Sequence, residues 1–334
     1  MRGLGRAGIG LLALLGVTLG CGKQEEIIVQ TAGEHQTSDD VINRDPIAVL
    51  PSGAVAVAYL DAPQLFTSAF GARLLAISRN LMPLPPSAGF EPNRDLSRIY
   101  LGLYSMQGAD FVAVAKGRFD PAAFARAAES TEQTPLGAPV VKSSYAGRDL
   151  YTSRNIGFVA LTPETLLVGN ETALRRALDR IQEGRVRRQM PAFMLEMLDS
   201  PTAPIAVAAD LRQQAVTQAA SRELAFLNDL ETLRAVGNFE PPGINLVGTM
   251  TYADEQAAAQ GASSLQQSQQ LLQSYGWIMA IIGIAQPIRQ LEARASGKSA
   301  QFALGVDGAA VGTLLDQLQN YLATPSQPGQ LPAK

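Results

Sequence analysis

Chemistry in this chain is bounded first by what it lacks. Its 334 residues include one histidine, His35, and one cysteine, Cys21. Both precede the segments whose patterning predicts folded structure. Nucleophilic pairs of the Ser-His-Asp or Cys-His kind need an imidazole as base, and tetrahedral zinc sites draw on His and Cys. A folded part with neither excludes these classes, and the expectation is no metal, no cofactor and no enzyme activity. No G-x-S-x-G or S-x-x-K spacing occurs. Gly3, Gly5 and Gly8 match a dinucleotide fingerprint in form but follow no strand, and Gly297-Lys298-Ser299 lacks the earlier glycine of a phosphate loop, because Glu292 stands there. The second reads as a turn. Carboxylate pairs are the chemistry left, as in glycoside hydrolysis. Asp61, Asp110, Asp120 and Asp210 lie near predicted strand ends. Capping and turn entry account for such aspartates equally well, and with one tryptophan, Trp277, a sugar cleft has little aromatic platform.

The surroundings of Cys21 point elsewhere. Arg2 and Arg6 precede an apolar run from Ile9 to Leu19, too short to span a bilayer and patterned as a secretory signal. The run ends in Thr18-Leu19-Gly20-Cys21, which resembles the lipobox of bacterial lipoproteins. That resemblance implies cleavage after Gly20 and a diacylglyceryl group on the Cys21 sulfur. Thr18 departs from the leucine usual at that position. Gly22, where an aspartate would favour retention at the inner membrane, implies the outer membrane. The expected partner is therefore a membrane, engaged through lipidated Cys21, with an envelope protein as a further candidate.

Loss of residues 1–20 removes two cations and leaves 25 basic against 30 acidic residues, a net charge of about −5 at pH 7. This mild acidity argues against nucleic acid as a partner. Residues 21–49 read as the lipidated N-terminus and a polar tether, reaching on the order of 25–30 Å as a coil. The Pro-rich stretch 324–334 reads as a disordered tail.

Between them the patterning predicts an α+β fold of two related halves, 50–190 and 191–323. Strands are expected at 54–60, 111–115, 140–143, 149–152 and 158–168, with helices at 63–80, 121–130 and 171–183. Pro51–Ala58 aligns without a gap on Pro201–Ala208, and a long helical region from Glu255 to about Ala295 marks the second half. Each half then reads β-α-β-β-α-β with a closing helix, similar to the ferredoxin-like split βαβ, an antiparallel sheet with helices on one face.

Three features could meet a partner. Arg176, Arg180, Arg187 and Arg188 belong to a basic cluster at the end of the first half, suited to a solvated helix end or to an anionic surface. The apolar stretch around Trp277 and Ile281, and the Met-rich segment holding Met194 and Met197, suit a core, or a cavity between the halves. The functional expectation is a non-enzymatic envelope lipoprotein acting in interaction or assembly. A carrier or sensor of an apolar or lipid ligand is the alternative, and a carboxylate hydrolase the least favoured.

Overall fold

The computed structural model describes residues 37–105, 110–199, 202–212, 214, 222, 224–274 and 287–323. Within them twelve strands form a single sheet in which every pairing is antiparallel. The first seven are β1 (Ala56–Asp61), β2 (Leu96–Leu103), β3 (Phe111–Gly117), β4 (Val141–Tyr145), β5 (Arg148–Ser153), β6 (Ile156–Thr162) and β7 (Thr165–Asn170). The rest are β8 (Ile205–Asp210), β9 (Leu230–Asn238), β10 (Gly243–Tyr252), β11 (Ile288–Ser296) and β12 (Ser299–Asp307). Their order across the sheet is β11-β12-β10-β9-β8-β1-β2-β3-β7-β6-β5-β4. β1 and β8 pair at the middle, from Ala56 with Ala209 to Leu60 with Ile205.

This corrects the ferredoxin-like expectation. A split βαβ unit places parallel strands side by side. Here β1 runs antiparallel to both neighbours, and β2, which the sequence reading left out, follows it directly in the sheet. In the first half three meandering strands lead through a helix to a second meander of four, β4–β7, whose last strand docks on β3; in the second, three strands lead through a helix to the hairpin β11-β12, whose last strand docks on β10. Residues 35–334 form one compact unit, so the boundary near residue 190 falls within one sheet.

Helices cover both faces of the first half, not one. Alternate residues of a strand point to opposite faces, and both sets are apolar here. Val112 and Val114 of β3 join Val57, Tyr59, Val159 and Leu167 in a cluster with α6 (Glu171–Gln182) and α7 (Ala192–Asp199). Ala115, Phe158 and Leu166 belong to the opposite face, beneath α5 (Pro121–Glu129). On that second face the chain also lays α2 (Ala62–Thr67), α3 (Gly71–Asn80) and α4 (Pro92–Asp95). The helix expected over 63–80 is thus broken in two. Gly71 marks the break, because a Cβ there would lie 2.1 Å from the Phe66 carbonyl oxygen.

The tether expected to run through residue 49 ends sooner. α1 (Asp39–Arg44) and a 3-10 turn (Pro46–Val49) bury Ile42, Ile47, Val49 and Leu50 in the first cluster. The polar aspartates that suggested a tether fill one face of a turn whose other face is core. In the second half α8 (Glu255–Ser274) packs Ala258, Ala262 and Leu265 on the sheet. The helix expected to continue to Ala295 is contradicted at its far end, where β11 is a strand. The closing helix α9 (Gly308–Ala323) lies against α3, with Arg73 Nε 3.0 Å from the Asp316 carboxylate.

Candidate functional site

The second face of the first half is covered incompletely. Strands β2, β3, β6 and β7 supply a floor of Ile99, Ala113, Ala115, Phe158, Leu166 and Val168. Helices α2 and α3 supply Leu65, Phe66 and Leu74, and the following segment adds Leu81–Leu84, Phe90 and Pro92. Between floor and walls lies a cavity of about 360 Å³, within the size range of small-molecule sites. Small floor residues make it possible, since Ala113 and Ala115 leave space where neighbouring positions carry leucine or phenylalanine.

Ser78 is the only polar residue of the lining, and its hydroxyl donates to the Leu75 carbonyl at 2.8 Å. The cavity therefore offers an occupant apolar surface and, in the Ser78 oxygen, a single side-chain acceptor. Leu81, 44% exposed, stands at its rim. The loop that walls it is closed by an ion pair, Arg79 Nη2 to Glu91 Oε2 at 2.6 Å, joining the last turn of α3 to the residue preceding α4. Such a pair at the surface adds little stability, about 0–1 kcal/mol. Its geometric effect is to hold the two ends of the wall together.

Beside this cavity, α4 carries a buried carboxylate. Asp95 accepts from the Arg94 guanidinium at 2.7 and 2.6 Å and from the Glu91 N–H at 2.8 Å. The Arg94 bonds hold its carboxyl below the usual carboxylate range, against the upward push of burial.

The residues singled out by sequence lie elsewhere. Met194 is fully buried and Met197 half-buried in the cluster of the first face, so the Met-rich segment is core. Trp277 and Ile281, like Cys21, lie outside the described residues. The apolar cavity accordingly sits within the first half, on floor and wall residues the sequence reading did not name.

Of the four arginines of the basic cluster, Arg180 alone is buried. Arg180 is 4% exposed; it bonds the Gln189 side chain, donates to the Arg187 carbonyl at 2.7 Å and reaches the Ala48 carbonyl at 3.3 Å. Arg176 donates through Nη2 to both Asp110 carboxylate oxygens at 2.7 and 2.8 Å, its guanidinium carbon 4.6 Å above the Tyr104 ring. Arg188 joins Asp45 and Asp199 at 2.9 and 2.8 Å. Arg187 is exposed. The four therefore do not form one surface for anions: Arg180 is internal, with the acceptors a desolvated guanidinium requires, while Arg176 and Arg188 hold carboxylates at the surface.

The four candidate carboxylates are engaged separately. Asp61 and Asp120 cap helices, accepting from Gln64 N–H at 2.9 Å and Ala123 N–H at 3.0 Å. Asp110 holds Arg176, and Asp210 holds Arg212. Gly297, at φ +55°, makes the turn between β11 and β12, so Gly297-Lys298-Ser299 is a hairpin connection.

No protein-family model and no curated protein matches the chain. Among solved structures it is similar to TP0453. In crystal form I the TM-score is 0.50 at 12% identity, covering 81% of this chain and 96% of that one. In crystal form III the TM-score is 0.47 at 11% identity, covering 81% and 97%. At this identity the likeness concerns the fold, a mixed α+β architecture on a large antiparallel sheet.

Proposed function

We propose that this protein is an envelope lipoprotein, held at a membrane through lipidated Cys21, whose folded part binds an apolar chain. The cavity between α2, α3, the loop after α3 and the sheet carries this reading, because its lining offers hydrocarbon contact and almost nothing else. The lipobox-like Thr18–Cys21 supports the location. An acyl chain enclosed there loses water contact at about 0.8 kcal/mol per CH₂, so a partly buried chain suffices for useful affinity.

The test is thermal unfolding of the full mature chain with and without a long-chain fatty alcohol. At 100-fold excess over Kd a ligand stabilises by about 2.7 kcal/mol, a rise of about 4 °C for a protein of this size. Ala113→Phe places a ring on the cavity floor and is expected to abolish the rise while keeping the fold. An unchanged melting temperature for the parent, or an equal rise in the variant, refutes the cavity reading. For the anchor, Cys21→Ser is expected to leave an uncleaved, unlipidated precursor, and maturation to the normal size would exclude the lipobox.

Interaction or assembly is the second reading. One observation favours it: the first face of β9–β12 is bare among the described residues, with Val247 54% exposed at its middle.

A further inference from the structure

A second hollow, about 440 Å³, adjoins the apolar cavity, and Phe90 lines both. Both border α4, Pro92 lining the apolar one and Arg94 and Asp95 the other. Where the first is hydrocarbon, the second is charged. Arg94, Asp95, Arg118, Asp120 and Glu164 line it together with Phe119 and Phe124.

Its charges are not all available. Arg94 and Asp95 neutralise one another through two short bonds. Three groups remain, one cation and two carboxylates. Arg118 is exposed and has one long contact, 3.4 Å to the Arg94 carbonyl. Asp120, beyond its capping bond, has Arg126 only at 3.8 Å. Glu164 is 64% exposed, with Lys116 at 3.5 Å. The backbone fixes their spacing: Gly117 N–H donates to the Glu164 carbonyl at 3.0 Å and Phe119 N–H to the Pro163 carbonyl at 2.8 Å. Arg118 is thereby held opposite Glu164, with Asp120 two residues along its own strand end.

A cation next to carboxylates matches a head that carries both signs. Guanidinium takes a phosphate, while carboxylates take an ammonium. Resting on the reading of the apolar cavity as a chain site, we infer that the ligand is a zwitterionic phospholipid, its acyl chain in the apolar cavity and its phosphate and ammonium in the hollow of Arg118, Asp120 and Glu164.

The test uses the full mature chain in proteoliposomes and three photoactivatable probes with one diazirine-bearing acyl chain. The chain is carried on phosphoethanolamine, on phosphoglycerol, or on a plain alcohol. The phosphoethanolamine probe is expected to label peptides holding Ala113, Phe158 or Leu166 about tenfold more than the others, the gain from one charge-assisted contact. Arg118→Ala and Glu164→Gln, both at exposed side chains, are expected to reduce that labelling to the level of the alcohol and to leave alcohol labelling unchanged. Equal labelling by all three probes, or variants without effect, overturns the zwitterionic head and leaves the chain site standing. Absence of cavity labelling by every probe overturns both.

Discussion

Replacement of Arg180 separates the two meanings of the basic cluster. Its guanidinium is 4% exposed, faces no carboxylate, and is held by the Ala48 carbonyl, the Arg187 carbonyl and the Gln189 side chain. Burial, followed by the charges of Arg185, lowers its pKa. Arg180→Ala removes the donor from two backbone carbonyls, each costing about 1–3 kcal/mol when left buried and unpaired. It also deletes the packed stem but releases a desolvated cation, which offsets part of the loss. The net cost is about 3 kcal/mol, and a protein of this size loses about 1.5 °C per kcal/mol, so the melting temperature should fall by about 5 °C. Arg180→Lys keeps the charge but cannot serve three divergent acceptors, and should fall nearly as far. Urea and thermal unfolding followed by circular dichroism measure both, and binding to anionic vesicles is measured on the same samples. If Arg180→Ala left stability within 1 kcal/mol of the parent while weakening vesicle binding, Arg180 would be a surface contact and the internal reading would fall.

Two further substitutions probe the walls of the site and the packing of the second half. Asp95→Asn should destabilise at pH 7. The parent carboxyl has its pKa lowered in the fold, so its contribution is complete above the unfolded value of about 3.9 and is lost as pH falls through the folded one. The gap between variant and parent should therefore narrow as pH drops from 5 to 3, and a gap independent of pH in urea titrations would contradict the linkage. Gly261→Ala lies mid-helix in α8, where helix propensity alone predicts about 1 kcal/mol of stabilisation. A Cβ there would sit 2.2 Å from the hydroxyl of the fully buried Tyr252, which donates to the Phe226 carbonyl. Overpacking of this kind costs about 1–3 kcal/mol, so unfolding measurements should show destabilisation, and a gain would show that α8 packs more loosely than drawn.

What could be read from sequence depended on how far each segment carries its own signal. Phe111–Ala115 is a short apolar run rich in valine, and Asp120-Pro121 announces α5 with a cap and a first-turn proline. Glu171–Gln182 presents a helical stripe with Ala173, Leu174, Ala177, Leu178 and Ile181 buried. β11 carries the opposite message. Its Ile288–Ser296 is rich in Gln, Glu, Arg and Ala, all good helix formers, and it forms a strand through pairing with β12 across eight positions. At the margin of the sheet only Leu291 and Ala293 need burial, while Arg289, Glu292 and Arg294 stay exposed as edge strands favour. β2 escaped notice because its outward Ser97 and Arg98 blur the alternation that buries Tyr100 and Gly102. The cavity has no linear signature at all. Its lining is gathered from α2, α3, the loop to α4 and four strands, and what makes room is the smallness of Ala113 and Ala115, which in a strand pattern reads as ordinary packing.

The cavity belongs to one half, yet its wall does not. Helix α3 meets α9 from the far end of the chain through the Arg73–Asp316 pair. Gly312 of α9 lies so near that a Cβ would stand 2.7 Å from the Arg73 guanidinium. The floor is continuous with the second half as well, because β1 and β8 share a ladder from Ala56–Ala209 to Leu60–Ile205. A chain entering the cavity therefore presses on elements that join the halves twice, once through the sheet and once through α3 and α9. One sheet carries both ends of the chain, and what makes a site lies in the helices laid on one face of its first part.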